Sequence, residues 1–284
     1  MTGESNPTLR RRELGFLLRR YRVERGLSVE EVTARLLFSA TKLSRLETGR
    51  AGVSPRDIRD LCELYQITDP AERQRLTDLA KEGKQRAWWQ DYSLPYATYV
   101  GLEAEATSIS DYHSDLISGL LQVEAYARAI FETAEPPLDD ATIDQRIEAR
   151  LRRQAILTQD HGPRFHCILD EGALRRPVGG PAAMRIQLAN IIDVAAWPRV
   201  TFQLIPLDIG AHPGMDSNFS VLEFEEPMVN DVVYIEGLVG NIFLESASEL
   251  DRYKQVFARL RSFALSPDDS IALVRTIAAT YADH

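Results

Sequence analysis

Thr41, Lys42, Ser44 and Arg45 combine hydroxyl and cationic donors within five residues. At helical spacing they share an outward face with Ala40, while Leu43 and Leu46 turn inward. A short, slim, cationic helix face of this kind suits base edges and phosphates in a major groove. A second group lies far downstream. His212 and Met215 fall in the stretch Gly210-Ala-His-Pro-Gly-Met215, with Asn218 close by and Tyr234 and Glu236 alternating on a candidate strand. An imidazole, a thioether, an amide and a phenol can line a ligand or partner pocket, although turn geometry alone also accounts for the stretch as a hairpin-like connection.

The elements that must hold the first group are marked by capping residues. Ser28, with Glu31 three residues on, forms a capping box and starts a helix whose Val32 and Leu36 share an apolar face. Ser39 caps the helix that carries Thr41 to Arg45, and Gly49 stands where a left-handed stop is wanted. Upstream, Leu14, Leu17, Leu18 and Tyr21 make an apolar stripe on an arginine-rich helix. Downstream, Ser54-Pro55 and Asp69-Pro70 open two more helices, with Ile58, Leu61, Cys62 and Tyr65 and then Leu76 and Leu79 facing inward. The pattern predicts five helices over residues 8–82, either as a helix-turn-helix or as a plain helical bundle containing a hairpin.

Charge is divided unevenly. Residues 1–87 carry 18 Lys and Arg against 13 Asp and Glu, a net of +5, whereas residues 88–284 carry 15 against 29, a net of −14. Residues 8–56 alone hold 12 cations against 5 anions, so an acidic chain still offers one cationic region to a polyanion. The charged stretch Lys81 to Arg86 predicts a junction, with a linker at 83–87 and a second domain over 88–284. Segments 101–132 and 139–158 read as helical, interrupted at Pro136-Pro137. Strands are predicted at Phe165–Leu169, Val200–Ile205, Phe219–Phe224 and Val232–Ile235, and a weaker one at Ile242–Leu244. Helices are predicted at 181–196, 246–263 and 267–281. Short links such as 226–231 favour hairpins, hence an α+β domain with a mostly antiparallel sheet.

Enzymatic patterns are sparse. The five histidines make no metal-binding helix pair, no phosphate-cradling glycine loop is present, and there is no nucleophile elbow. His166 and Cys167, adjacent on a strand, point to opposite faces. Asp170-Glu171 at a strand end fits surface carboxylates better than an acid–base pair. The reading is therefore of no enzyme, no cofactor and no metal. Cys62 and Cys167 read as small buried apolar groups. No apolar run is long enough for a membrane span and no hydrophobic leader opens the chain, so a cytoplasmic protein is expected. Trp88-Trp89 is equally suited to an interface anchor or to a core.

Ser28-x-Glu30-Glu31-Val32 and Leu43-Ser44-Arg45-Leu46-Glu47-Thr48-Gly49, at their mutual separation, resemble the Xre-family, lambda-repressor-like helix-turn-helix domain. The resemblance implies an all-α five-helix DNA-binding domain, a probe of double-stranded DNA through Thr41, Lys42, Ser44 and Arg45, and a homodimer on a two-half-site operator. It assigns Glu47 a structural pairing with a first-helix arginine such as Arg19 or Arg20. Three residues depart from the family pattern: Val29 replaces a phosphate-contacting Gln, Thr33 a small Ala between the helices, and Leu37 the turn Gly. Further on, Gly101-Leu-Glu-Ala-Glu-Ala106, Gly119-Leu-Leu-Gln122, Arg150-Leu-Arg-Arg-Gln154, Asp170-Glu171, Arg176-Pro-Val-Gly179, Gly210-Ala-His-Pro-Gly214, Tyr234-Ile-Glu-Gly237 and Ala264-Leu-Ser-Pro267 resemble the C-terminal domain of antitoxin-like regulators of high-GC Gram-positive bacteria. That resemblance implies a small partner protein encoded nearby. Ser118 and Val123 stand where that group usually has Pro and Thr. Two other readings stay open beside the regulator: an antitoxin-like interaction module with weak DNA binding, and a small-molecule sensor.

Overall fold

The computed structural model describes residues 6–92, 94–225, 229–238 and 240–281. The chain forms two compact units: Met1–Asp91 with Ala97–Glu105 and Glu225–Asn230, and Tyr92–Tyr96 with Ala106–Phe224 and Asp231–His284. The helix that opens the segment after the expected linker thus packs with the first unit.

In the first unit α1 (Pro7–Glu24), α2 (Val29–Leu36), α3 (Ala40–Glu47), α4 (Pro55–Leu64) and α5 (Pro70–Glu82) appear in the predicted order, followed by α6 (Ala97–Glu103). Each predicted cap is made: Ser28, Ser39, Ser54 and Asp69 accept amides of the first turn, and Ser28 and Glu31 complete the reciprocal box. Leu14, Leu17, Leu18, Val32, Leu43, Leu46, Ile58, Leu61, Cys62, Tyr65, Leu76 and Leu79 form one core. Asn6 caps α1 and also donates to the Gly101 carbonyl of α6 at 2.7 Å. Trp89 is buried in this unit and meets Trp88 edge-on, with ring centres 5.8 Å apart.

The second unit is α+β. Its elements are β1 (Ser108–His113), α7 (Glu124–Phe131), α8 (Asp140–Gln154), β2 (Arg164–Asp170), α9 (Glu171–Arg175), α10 (Gly180–Ala195), β3 (Val200–Ile205), β4 (Phe219–Glu223), β5 (Val232–Gly237), β6 (Gly240–Leu244), α11 (Ala247–Phe263) and α12 (Pro267–Thr280). One six-stranded sheet has the order β3-β2-β1-β4-β5-β6, parallel across β3-β2-β1 and antiparallel in the other pairs. Tyr112, Ile168, Ile205, Phe219, Val221 and Val233 pack on Phe257 and Leu260 of α11. The second face carries Asp111, Cys167 and Tyr234, by the alternation of the strands.

β1 corrects the expectation that 101–132 is continuously helical. The segment Ser-Ile-Ser-Asp-Tyr-His has little apolar alternation, because its inward position 111 is a buried acid, partnered by His113, by Ser118 just beyond the strand and by Ser220 of β4. The link at 226–231 runs through residues 226–228, outside the described residues. No helix among the described residues is long and apolar enough to cross a membrane.

Candidate nucleic-acid interface

The outer face of α3 is built from below. Ser39 Oγ accepts the Lys42 amide at 3.0 Å, and Leu43 and Leu46 sink into the core. Gly15 of α1 lies so close that a Cβ there would sit 2.6 Å from the Leu46 carbonyl oxygen, so α1 and α3 approach backbone to backbone. Gly49, after the helix, has φ of 66°, and a Cβ on it would strike the backbone of Arg12 at 2.7 Å. With its inner side fixed this way, α3 leaves Ala40, Thr41, Ser44 and Arg45 exposed. Arg45 has no side-chain ion pair among the described residues.

Lys42 is placed differently. Its ammonium lies 2.8 Å from Asp57 Oδ1 of α4 and 3.6 Å from the centre of the Phe38 ring. Burial would raise the Asp57 carboxyl, but bonds from Lys42 and Ser54 hold it below the ordinary carboxylate value. Thr41, Ser44 and Arg45 are therefore presented outward, while Lys42 ties α3 to α4.

Glu47 is structural, but its partner corrects the expected one. It binds Arg22 rather than Arg19 or Arg20, through two parallel contacts of 2.6 and 2.9 Å, and Arg22 also donates to the Leu27 carbonyl at 3.0 Å. Arg22 lies three residues beyond Arg19 and two beyond Arg20, on the side of α1 where a fork can reach carboxylate and loop together. Of the three departures from the family pattern, Val29 packs partly against the core, and the Thr33 hydroxyl donates back to the Glu30 carbonyl at 3.0 Å. Leu37 caps α2 in the left-handed region, φ 53° and ψ 38°, with 91% of its surface exposed. The turn keeps the geometry that favours glycine and bears the steric cost of a Cβ.

The downstream group is dispersed by the fold. His212 is nearly buried; Nε2 lies 3.0 Å from Asp170 Oδ2, and Nδ1 accepts the Gly214 amide at 3.3 Å, which assigns the ring proton to Nε2. Asn218 Oδ1 accepts from the Ser114 amide at 2.8 Å and hydroxyl at 3.0 Å, and its amide donates to Asp115 at 2.6 Å. Met215 is exposed. Tyr234 does not join them: it pairs in register with Ser220, on the face opposite Phe219, whereas His212 meets Tyr112 edge-on beside Phe219. A one-residue step along a strand changes face, and the sequence carries no register for β4 against β5. Asp170 and Glu171 are likewise separated, the first on His212 and the second on Arg175 and the Leu207 amide.

Residues 13–76 match a family described as a helix-turn-helix domain, and residues 96–276 match the family of a domain of unknown function, DUF5753. The chain belongs to the DUF5753 family. The helix-turn-helix match supports DNA binding by the first unit. No curated protein and no solved structure matches the chain.

The DUF5753 region holds one polar centre that the sequence alone does not reveal. Asp111 of β1 is buried, yet accepts from Ser118 Oγ at 2.5 Å, Ser220 Oγ at 2.6 Å and His113 Nε2 at 3.1 Å. Ser118 thus supplies a donor to a buried carboxylate. Burial would raise Asp111 and lower His113. Their mutual attraction wins: Asp111 lies below its ordinary value and His113 above. Burial raises the thiols of Cys62 and Cys167, both free, which fits packing rather than reactivity. The Ser220 contact depends on the pairing of β1 with β4 across a hundred residues, which the sequence does not announce.

Proposed function

We propose that this protein is a cytoplasmic, sequence-specific transcriptional regulator of Xre type that binds operator DNA as a homodimer. The DUF5753 domain receives a protein partner and relays its binding. The observation that carries the reading is the outer face of α3, where Thr41, Ser44 and Arg45 project from a helix locked beneath by Leu43, Leu46 and the Gly15 contact. Arg45 is the residue suited to a bidentate base contact, and Thr41, one turn earlier, to an adjacent base or phosphate. Lys42 adds field rather than direct contact, because Asp57 holds it. A twofold dimer reads two half-sites about one helical turn apart or a multiple of it. The partner acts by favouring one of two arrangements with different DNA affinity.

Selection from a randomised duplex library, with wild type and Arg45→Ala at two salt concentrations, tests this. A palindromic site is expected for wild type. If Arg45 reads a base, its loss costs about 1–3 kcal/mol at one position; if it binds phosphate, affinity falls on all sequences and the salt slope drops by about one. No enrichment at either salt would reject the regulator reading.

A second reading, an antitoxin-like interaction module with weak DNA binding, draws on Leu37 and Lys42. The first strains the turn that sets α3, and the second withdraws a cation from the outer face. Co-purification of a stoichiometric small protein, without enrichment of any DNA site, would favour it.

A further inference from the structure

The connection from β3 to β4 crosses the carboxyl ends of β2 and β1, because those two strands lie between its ends in the sheet. It is pinned along its course. The Leu207 amide donates to Glu171 at 2.9 Å, His212 holds Asp170, and Asn218 holds Ser114 and Asp115. Gly214 rests on the Tyr112 ring so closely that a Cβ would meet it at 2.5 Å. Yet this fixed segment turns three large apolar side chains to solvent: Leu207 is 56% exposed, Ile209 42% and Met215 66%. Apolar groups held outward by such anchors are pre-organised for contact, since little ordering remains to be done on binding.

The charge of the segment selects the occupant, the nearby Arg175 being held by Glu171. Between Arg199 and Arg252 the chain has no lysine or arginine and ten acidic residues. Asp208 and Asp216 are exposed beside the apolar three. We infer that the segment 206–218 docks a cationic, amphipathic segment of a partner protein, with Leu207, Ile209 and Met215 meeting its apolar face and Asp208 and Asp216 its lysines or arginines. A second copy of this same surface repeats the acidic charge and is repelled. The inference rests on the proposed partner role of the DUF5753 domain and names its surface.

The test uses the full chain and three labelled peptides: an amphipathic Leu/Lys helix, its Leu/Glu counterpart, and an oligolysine of equal charge. Fluorescence anisotropy is expected to show binding of the Leu/Lys helix alone. Leu207→Ser/Ile209→Ser/Met215→Ser is expected to weaken it at least about tenfold. Asp208→Asn/Asp216→Asn should weaken it less and flatten its salt dependence. Both variants change exposed side chains, and unchanged thermal unfolding verifies their folds. Equal affinity for the triple variant, or oligolysine bound as tightly as the Leu/Lys helix, overturns the inference. So does wild-type self-association that the triple variant abolishes, since the surface would then belong to a second copy. DNA selection run on the triple variant separates the two proposals: an operator still recovered there leaves the regulator reading standing even if peptide docking fails.

Discussion

The outer face of α3 and the segment 206–218 both present side chains to solvent, but they are held by different means. On α3 the scaffold is local. A serine cap, two leucines at i and i+3 and a closing glycine all fall within eleven residues, and backbone hydrogen bonds do the rest. The downstream segment has almost no regular structure of its own. Its anchors are groups at the carboxyl ends of two strands, β1 and β2, as far away as Ser114. A surface on a helix is therefore written in adjacent residues, whereas a surface on a connection is written in its partners.

The largest expected effect is at the pair beneath α3. Glu47→Ala strands a mostly buried guanidinium, and breaking such a pair costs about 3–5 kcal/mol. Urea unfolding should show the first unit destabilised, while hydrogen exchange at 206–218 stays as in wild type. Next comes the corresponding cut in the connection. His212→Ala removes one partner from Asp170 and one from the Gly214 amide, an expected loss of about 1–3 kcal/mol for the buried groups left unmet. Exchange should accelerate at 207–216 and leave α3 protected; acceleration in α3 would erase the distinction between the two surfaces.

A third effect depends on pH. His113, next to the Ser114 anchor, lies above its ordinary 6.5 because of Asp111, with Asp115 and Glu236 adding to the same pull. Its contribution to stability is complete below the unfolded value and is lost as pH rises through the higher folded one. Asp111 works in the other direction: its contribution is complete above 3.8 and is lost as pH falls through the lower folded value. Stability of the second unit should therefore decline as pH rises above 6.5, measured by thermal unfolding between pH 6 and 9, and His113→Gln should remove that decline. The smallest expected effect is a gain. Leu37→Gly relieves a left-handed leucine whose side chain buries almost nothing, and should stabilise the first unit by about 1 kcal/mol after the entropy cost of glycine. A loss there would mean that the exposed leucine makes a contact outside this chain.

How far the sequence could be read followed the range of the interactions. Helices α2 to α5 were legible from Ser28, Ser39, Ser54 and Asp69, since a cap acts within three residues of itself. Strands β2 to β5 were legible from apolar runs. β1 was not, because its central inward residue is Asp111, an acid tolerated only through Ser118, Ser220 and His113. Glu47 was legible as structural but not its partner, since Arg19, Arg20 and Arg22 differ only in where the packed helices place them. Tyr234 read as a candidate for the His212 pocket because it shares a strand face with Glu236, and strand register separated it from His212.

By itself the sequence determined the helix-turn-helix, its capped boundaries, the exposed Thr41, Ser44 and Arg45, and the split between a cationic and an acidic part. These rest on periodicity, capping and charge, which operate between neighbours or over whole segments. Tertiary structure alone decided that Lys42 is held by Asp57, that Leu37 takes a left-handed turn, that Asp111 is buried with His113, and that Leu207, Ile209 and Met215 are pinned outward. Each of those outcomes depends on side chains brought together by packing and strand order, and no local pattern encodes the pairing.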